Sequence, residues 1–281
     1  MVGRFLMDHT DCVVGCFDPD DSAAVRSRFG HYWVDNDQGR HVYLHGLALS
    51  RQVQEHERLL NCHAYVDAFD VSSVDPWSAL DRARAVLQSG GKVSELFPDI
   101  KTAFSHSGEV VQGLLRRQFM HRPQLQRLSR VELHCILEQI PDPESRITLS
   151  DEKKDALGMP LSRINWKISD TERQTARRMT QLLCDEFKRV GLPAPTLNPW
   201  LEDYDEWQSH SVEKAHPTGS TRMSDDPKKG VVDRNCQVHG VEGLFVAGSS
   251  VFPTSGAANS TLMIVATALR LADRLKAQYA D

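Results

Sequence analysis

Residues able to do chemistry are concentrated in the last quarter of the chain. His216 stands ahead of a Pro-Thr-Gly-Ser-Thr-Arg-Met run, and Asn259 stands where an apolar helix through Leu262, Val265, Leu269, Ala272 and Leu275 begins. A histidine titrates near neutrality, so it can take up or release a proton at physiological pH. Asparagine does not titrate, and Asn259 can only orient and polarise through hydrogen bonds. Asn259 also suits the N-cap of the helix it precedes. The helix start adds unpaired N–H groups and about half a positive charge, which favours negative charge placed there.

Other candidate sites are weaker. Cys12 and Cys16 lie near His9 without a second ligand pair at zinc-like spacing. His56-Glu-Arg-Leu-Leu60 departs from the H-E-x-x-H zinc pattern at position 60. Arg222 suits either an anionic group or the capping of its own loop. The chain contains neither G-x-G-x-x-G nor G-x-x-x-x-G-K-S/T, so it carries no recognisable nucleotide-phosphate loop.

The order of motifs after His216 resembles the C-terminal signature of the glucose-methanol-choline family of flavin oxidoreductases. The string is His216-Pro-Thr-Gly-Ser-Thr-Arg-Met223, Val231-Val-Asp233, Val238-His-Gly240, a segment ending Ser250-Val-Phe-Pro253, and Asn259. Upstream, Gly3-Arg-Phe-Leu-Met-Asp-His9 is similar to the family's G-x-x-x-x-D-H segment, and Asp8-His9 is expected to lock the chain as it enters the substrate domain. The resemblance covers the second half of a family member, with the Gly-rich nucleotide-binding half absent. It implies FAD as cofactor and oxidation of a CH–OH group in an alcohol or sugar-like substrate, with hydride passing to flavin N5. By motif match His216 is the base and Asn259 its catalytic partner, while Gly248, Ser249, Ser260 and Thr261 fall at cofactor-binding positions; no metal is implied. Two departures stand out: Asn259-Ser260 replaces the common Asn-Pro, and Ala247-Gly248 replaces an acidic residue seen in some members. The alternative is a truncated or separately encoded non-catalytic subunit whose partner chain carries the nucleotide-binding half.

The elements that must position these residues are legible in part. Alternation of Val131, Leu133, Cys135 and Leu137 predicts a half-buried strand over 130–140, and further strands are expected at 146–150 and 163–168. Their closeness in sequence favours an antiparallel meander. Strands are also expected at 41–49 and 60–69, with Ser50 capping a short element between them. Pro76 opens a helix that Gly90-Gly91 stops. Ser169-Asp-Thr-Glu172 reads as a capping box for a helix that Gly191 ends. Residues 193–210 read as a linker or rim loop, and 240–250 as a buried strand.

The fold expected is α+β: residues 1–20 entering from a flavin domain, an antiparallel-sheet substrate domain over 21–210, and over 211–281 the C-terminal strand and helix portion of a Rossmann-like FAD-binding domain. The composition agrees with a globular chain. Of 281 residues, 40% are hydrophobic and 25% charged, and the net charge of −5 gives no basis for a nucleic acid partner. The longest apolar run, 262–269, is too short to span a bilayer. The six cysteines do not form a disulfide framework, and the N-terminal residues lack a secretory pattern, so a cytoplasmic location is expected.

Overall fold

The computed structural model describes residues 1–71, 75–89 and 96–279. The fold is α+β. Its central sheet has six strands in the order β10-β1-β6-β5-β4, with β9 also on β1. These are β1 (Thr10–Phe17), β4 (Leu47–Ala48), β5 (Cys62–Val71), β6 (Leu128–Leu137), β9 (Thr196–Leu197) and β10 (Val212–Glu213). All their pairings are antiparallel. Two smaller ribbons stand apart: β2 (Tyr32–Asn36) with β3 (Gly39–Tyr43), and β7 (Arg146–Lys154) with β8 (Pro160–Asn165). The helices are α1 (Ala23–Phe29), α2 (Arg51–Glu57), α3 (Pro76–Gln88), α4 (Phe97–Ser105), α5 (Ser107–Phe119), α6 (Asp170–Arg189), α7 (Tyr204–His210) and α8 (Thr261–Tyr279).

Because side chains alternate across a strand, the sheet has two chemically different faces. Cys12, Val14, Ala64, Val66, Leu133 and Cys135 form one, packed against Ala176, Met179, Leu183 and Phe187 of α6. Removing a ring as deeply buried as Phe187, at 1% exposure, costs about 3–5 kcal/mol. The other face carries Asp11, His63, Tyr65, Glu132 and His134, and this is the face that meets the candidate site. A separate small core of Val231, Val232, Cys236, Val251 and Leu271 holds the C-terminal segment together.

Several expected elements form as read. The predicted strand over 130–140 is β6, with Val131, Leu133, Cys135 and Leu137 fully buried. Ser169 and Glu172 make both halves of the capping box on α6. Ser50 caps α2, accepting a hydrogen bond from the Val53 N–H, and Asp75 caps α3 ahead of Pro76. Gly90-Gly91 lies outside the described residues. All six cysteines are free, and among the described residues no His/Cys/Asp/Glu group could hold a metal. Among the same residues, no helix is long and apolar enough to cross a membrane.

Other readings need correction. The three strands expected as a meander divide between two sheets: β6 sits between β1 and β5, whereas β7 and β8 form a separate ribbon that touches the N-terminal segment through a single Arg4–Arg146 bridge. The distant strands β1 and β5 offer β6 long ladders that outcompete its sequence neighbour. The strand expected at 41–49 breaks at 44–46. Residues 193–210 are no free linker, for Trp207 is fully buried and Trp200 nearly so within the main core. Residues 240–250 form no buried strand: they make a single bridge, Gln237 to Phe245, and Val241 and Leu244 are 47% and 50% exposed.

Candidate functional site

Two segments 200 residues apart in sequence run side by side at the site. Residues 3–9 lie antiparallel to 214–220, tied by Gly3 N to Ser220 O at 2.8 Å, Thr218 N to Met7 O at 2.8 Å and Lys214 N to His9 O at 3.2 Å. The contact is so close that position 219 must be glycine. Gly219 has φ +83°, and a Cβ there would meet the Phe5 carbonyl oxygen at 2.2 Å. The glycine of the His216 loop is therefore explained by backbone approach.

Asp8 fixes the backbone around His216. Its carboxylate accepts hydrogen bonds from the N–H groups of His9 (2.7 Å), Lys214 (3.3 Å) and His216 (3.0 Å). Ala215, between the last two, sits at φ +55°, which turns both N–H groups onto one anion. That left-handed conformation costs a non-glycine residue about 1–3 kcal/mol, and the buried carboxylate holds it in place. The Asp8 N–H donates in turn to Gln139 Oε1, which also accepts from Trp166 Nε1 at 2.6 Å.

The His216 ring is positioned by His9. Their Nδ1 atoms are 3.1 Å apart, and His9 Nε2 lies 3.3 Å from the Ser255 carbonyl oxygen. Burial lowers the His9 pKa, so the neutral ring carries one proton. A carbonyl oxygen can only accept, which assigns that proton to Nε2 and leaves Nδ1 of His9 as the acceptor. His216 must then donate from its own Nδ1, and in its neutral form Nε2 carries the free lone pair.

Asn259 reaches the site through the loop before α8. Ser255 Oγ accepts from the Gln139 N–H at 3.2 Å, and the Gly256 N–H donates to Glu138 Oε1 at 3.2 Å, docking that loop on the end of β6. Asn259 and His216 line one cavity of about 450 Å³, with Leu44, His45, Gly46, His63, Tyr65, Ile136 and Lys214. A second cavity of about 320 Å³ also reaches Asn259 and is lined by residues 252–260, Met263 and Asn61. A further cavity of about 490 Å³, near Arg26 and Arg116, contains none of these residues. Asn259 is not the cap of α8: the helix starts at Thr261, and the Ser260 carbonyl accepts from Ile264 N, so Ser260 holds the cap position. Among the described residues the Asn259 amide has no hydrogen-bond partner, which leaves it open to both cavities.

The four expected cofactor positions are spread around the same loop. Gly248 has φ +128° with nothing within 4 Å of a Cβ placed on it. Ser249 donates to the Pro217 carbonyl at 2.7 Å, joining this turn to the His216 loop. Ser260 is buried, and exposed Thr261 opens α8. Arg222 caps its loop: its guanidinium donates to the Pro253 carbonyl at 3.3 Å and lies over the Phe5 ring.

A charged network absent from the sequence reading covers the polar sheet face. Asp11 pairs with Lys214 Nζ at 2.5 Å and with His134 Nδ1 at 3.3 Å, and His134 Nε2 lies 3.2 Å from Glu132. Lys214 also donates to the Tyr65 hydroxyl at 3.2 Å, and the Tyr65 ring stacks on His134. Burial works against charge on both Asp11 and Lys214, yet their hydrogen bonds prevail, holding the carboxyl below and the ammonium above its usual range. Burial, joined by the Asp11 charge, pushes the Tyr65 hydroxyl up, and burial lowers the His63 pKa.

Residues 141–268 match the GMC oxidoreductase C-terminal family model. This stretch corresponds to the C-terminal region of the GMC oxidoreductases. It is similar to the fructose dehydrogenase large subunit of Gluconobacter japonicus, 32% identical over 52% of this chain and 25% of that protein. It is also similar to the oxygen-dependent choline dehydrogenase of Vibrio vulnificus, 32% identical over 47% of this chain and 25% of that protein. The matches thus cover about a quarter of these curated relatives. A formate oxidase structure aligns with all of this chain and 48% of its own at 20% identity, with a TM-score of 0.49.

Proposed function

We propose that this chain supplies the substrate-binding region and the proton-handling pair of an FAD-dependent oxidoreductase acting on the CH–OH group of an alcohol or sugar-like donor. The observation that carries the reading is the meeting of His216 and Asn259 on one cavity, with His216 held as the tautomer whose Nε2 can accept a proton. In this reading His216 takes the hydroxyl proton, and Asn259 donates a hydrogen bond to the oxygen as negative charge develops on it. Asp8 and His9 keep the base in place, so no reorganisation is needed when the proton moves.

The residues present fit a flavin. Open space over Gly248 and Gly256 lets a planar group approach backbone, and the N-terminus of the 19-residue helix α8 favours negative charge nearby. Gly248, Ser249, Ser260 and Thr261 are the residues that would hold it, Ser260 from its backbone. FAD, when bound, supplies the acceptor for the two electrons leaving the carbinol carbon.

A partner-dependent reading rests on a separate observation. Leu262, Met263, Val265 and Leu269 of α8 are 50–77% exposed, an apolar strip suited to burial against a chain carrying the nucleotide-binding half. A division of the chain between the sheet domain and the C-terminal segment is supported by two separate cores, one reaching to Trp207 and the other beginning at Val231, with β10 still on the sheet between them. The test is anaerobic addition of alcohols to a flavin-loaded assembly containing this chain: bleaching of the flavin bands supports catalysis, and persistent oxidised flavin with every alcohol supports a non-catalytic subunit.

A further inference from the structure

Beside the His216–Asn259 pair, the same cavity presents two hydrogen-bond donors that proton handling leaves unused. The Lys214 ammonium has three protons. One is directed to Asp11 at 2.5 Å and one to the Tyr65 oxygen at 3.2 Å, which leaves one N–H without a partner among the described residues. Tyr65 accepts that bond, so its own O–H is also without an acceptor there. Both side chains line the cavity, and the Lys214 side chain is 32% exposed.

We propose that Lys214 and Tyr65 are specificity residues that select a neutral polyhydroxylated alcohol, binding hydroxyl oxygens next to the carbon being oxidised, and that they reject cationic alcohols. The inference rests on the reading of this cavity as an alcohol-oxidising site. Two donors 3.2 Å apart match the oxygens of neighbouring hydroxyl groups. A cationic alcohol would face Lys214 in a cavity that no carboxylate lines, Asp11 being only 4% exposed behind the ammonium. An anionic substrate gains little, since Asp11 already matches the Lys214 charge. An aryl alcohol finds one carbocyclic ring, Tyr65, with a face already stacked on His134 at a centroid distance of 5.0 Å, and otherwise the polar imidazoles of His45, His63 and His216. A cavity of about 450 Å³ is large enough for a ligand of monosaccharide size.

Ligand-detected NMR titration of the full chain with D-glucitol and with choline tests the proposal, using wild type, Lys214→Met and Tyr65→Phe. The Tyr65 variant retains the Lys214–Asp11 pair, so it remains informative if Lys214→Met does not fold. The expected result is that D-glucitol binds wild type more tightly than choline does and that each folded variant weakens D-glucitol at least tenfold. Absence of D-glucitol binding, equal binding to wild type and Tyr65→Phe, or preference of wild type for choline would overturn the proposal. The readout needs no flavin. Binding as expected in an assembly that no alcohol reduces would count against the oxidation reading and leave the polyol site standing.

Discussion

The rings of His9 and His216 meet edge to face at 77°, with their Nδ1 atoms 3.1 Å apart. Two facing Nδ1 atoms can share only one proton, and the Ser255 carbonyl beyond His9 decides which ring supplies it. His216 is thereby held as the Nδ1–H tautomer, and in the proposed reading His9 acts through it.

Replacing His9 with Ala removes that constraint. Flavin reduction should slow by roughly 10²-fold with KM changed less than about threefold, since a base held in the wrong tautomer loses its function while substrate binding persists. Ring ¹⁵N spectra provide the direct check: His216 should show the Nδ1–H tautomer in wild type and a mixture in the variant. An unchanged tautomer would show that His9 has only a packing role.

Acid should destabilise the fold from near neutrality. Burial lowers the pKa of both His9 and His63 below the unfolded value of about 6.5. Unfolded chains therefore bind more protons between the folded and unfolded pKa values, and stability falls as pH drops through that window. Urea midpoints should be lower at pH 5.5 than at pH 7.5, and His63→Asn should reduce the difference. A midpoint independent of pH across this interval would contradict the assignment of two neutral rings, one buried and one half-buried.

Gly219→Ala should destabilise the fold by about 3 kcal/mol, combining a left-handed φ with a backbone clash. Gly240, at φ +76° with nothing within 4 Å of a Cβ, provides the control and should cost only about 1 kcal/mol as Ala. Equal losses by chemical denaturation would mean that the close approach of Phe5 contributes nothing.

Asp8→Asn retains the shape of the side chain but turns an oxygen that accepts the His216 N–H into a donor or leaves it unpaired. A loss of about 1.5–3 kcal/mol is expected, the usual worth of hydrogen bonds to a charged group. Denaturant midpoints at pH 7.5 measure it, and flavin reduction should slow along with them as the His216 loop loosens.

Much of the site was legible because the residue types were distinctive. His216 and Asn259 could be singled out from their surroundings in sequence, and alternation along β6 marked a buried strand. The partners of His216 were hidden by distance: Asp8 and His9 lie more than 200 residues away, and sequence order does not show that 3–9 run beside 214–220. Tyr65 and Lys214 were hidden for another reason. A period of two shows which residues share a sheet face, but not whether that face meets water or a cavity. In 193–210, prolines and acids masked Trp200 and Trp207, two rings that anchor the segment in the core.

The most direct measurement of the central claim is the anaerobic rate of flavin reduction by a polyol in the flavin-loaded assembly, wild type against His216→Ala, followed by stopped-flow absorbance. The expected result is a fall of about 10²–10⁴-fold at saturating substrate, the usual contribution of a positioned general base. Reduction at a near-normal rate in the variant would contradict the assignment of His216 as the base.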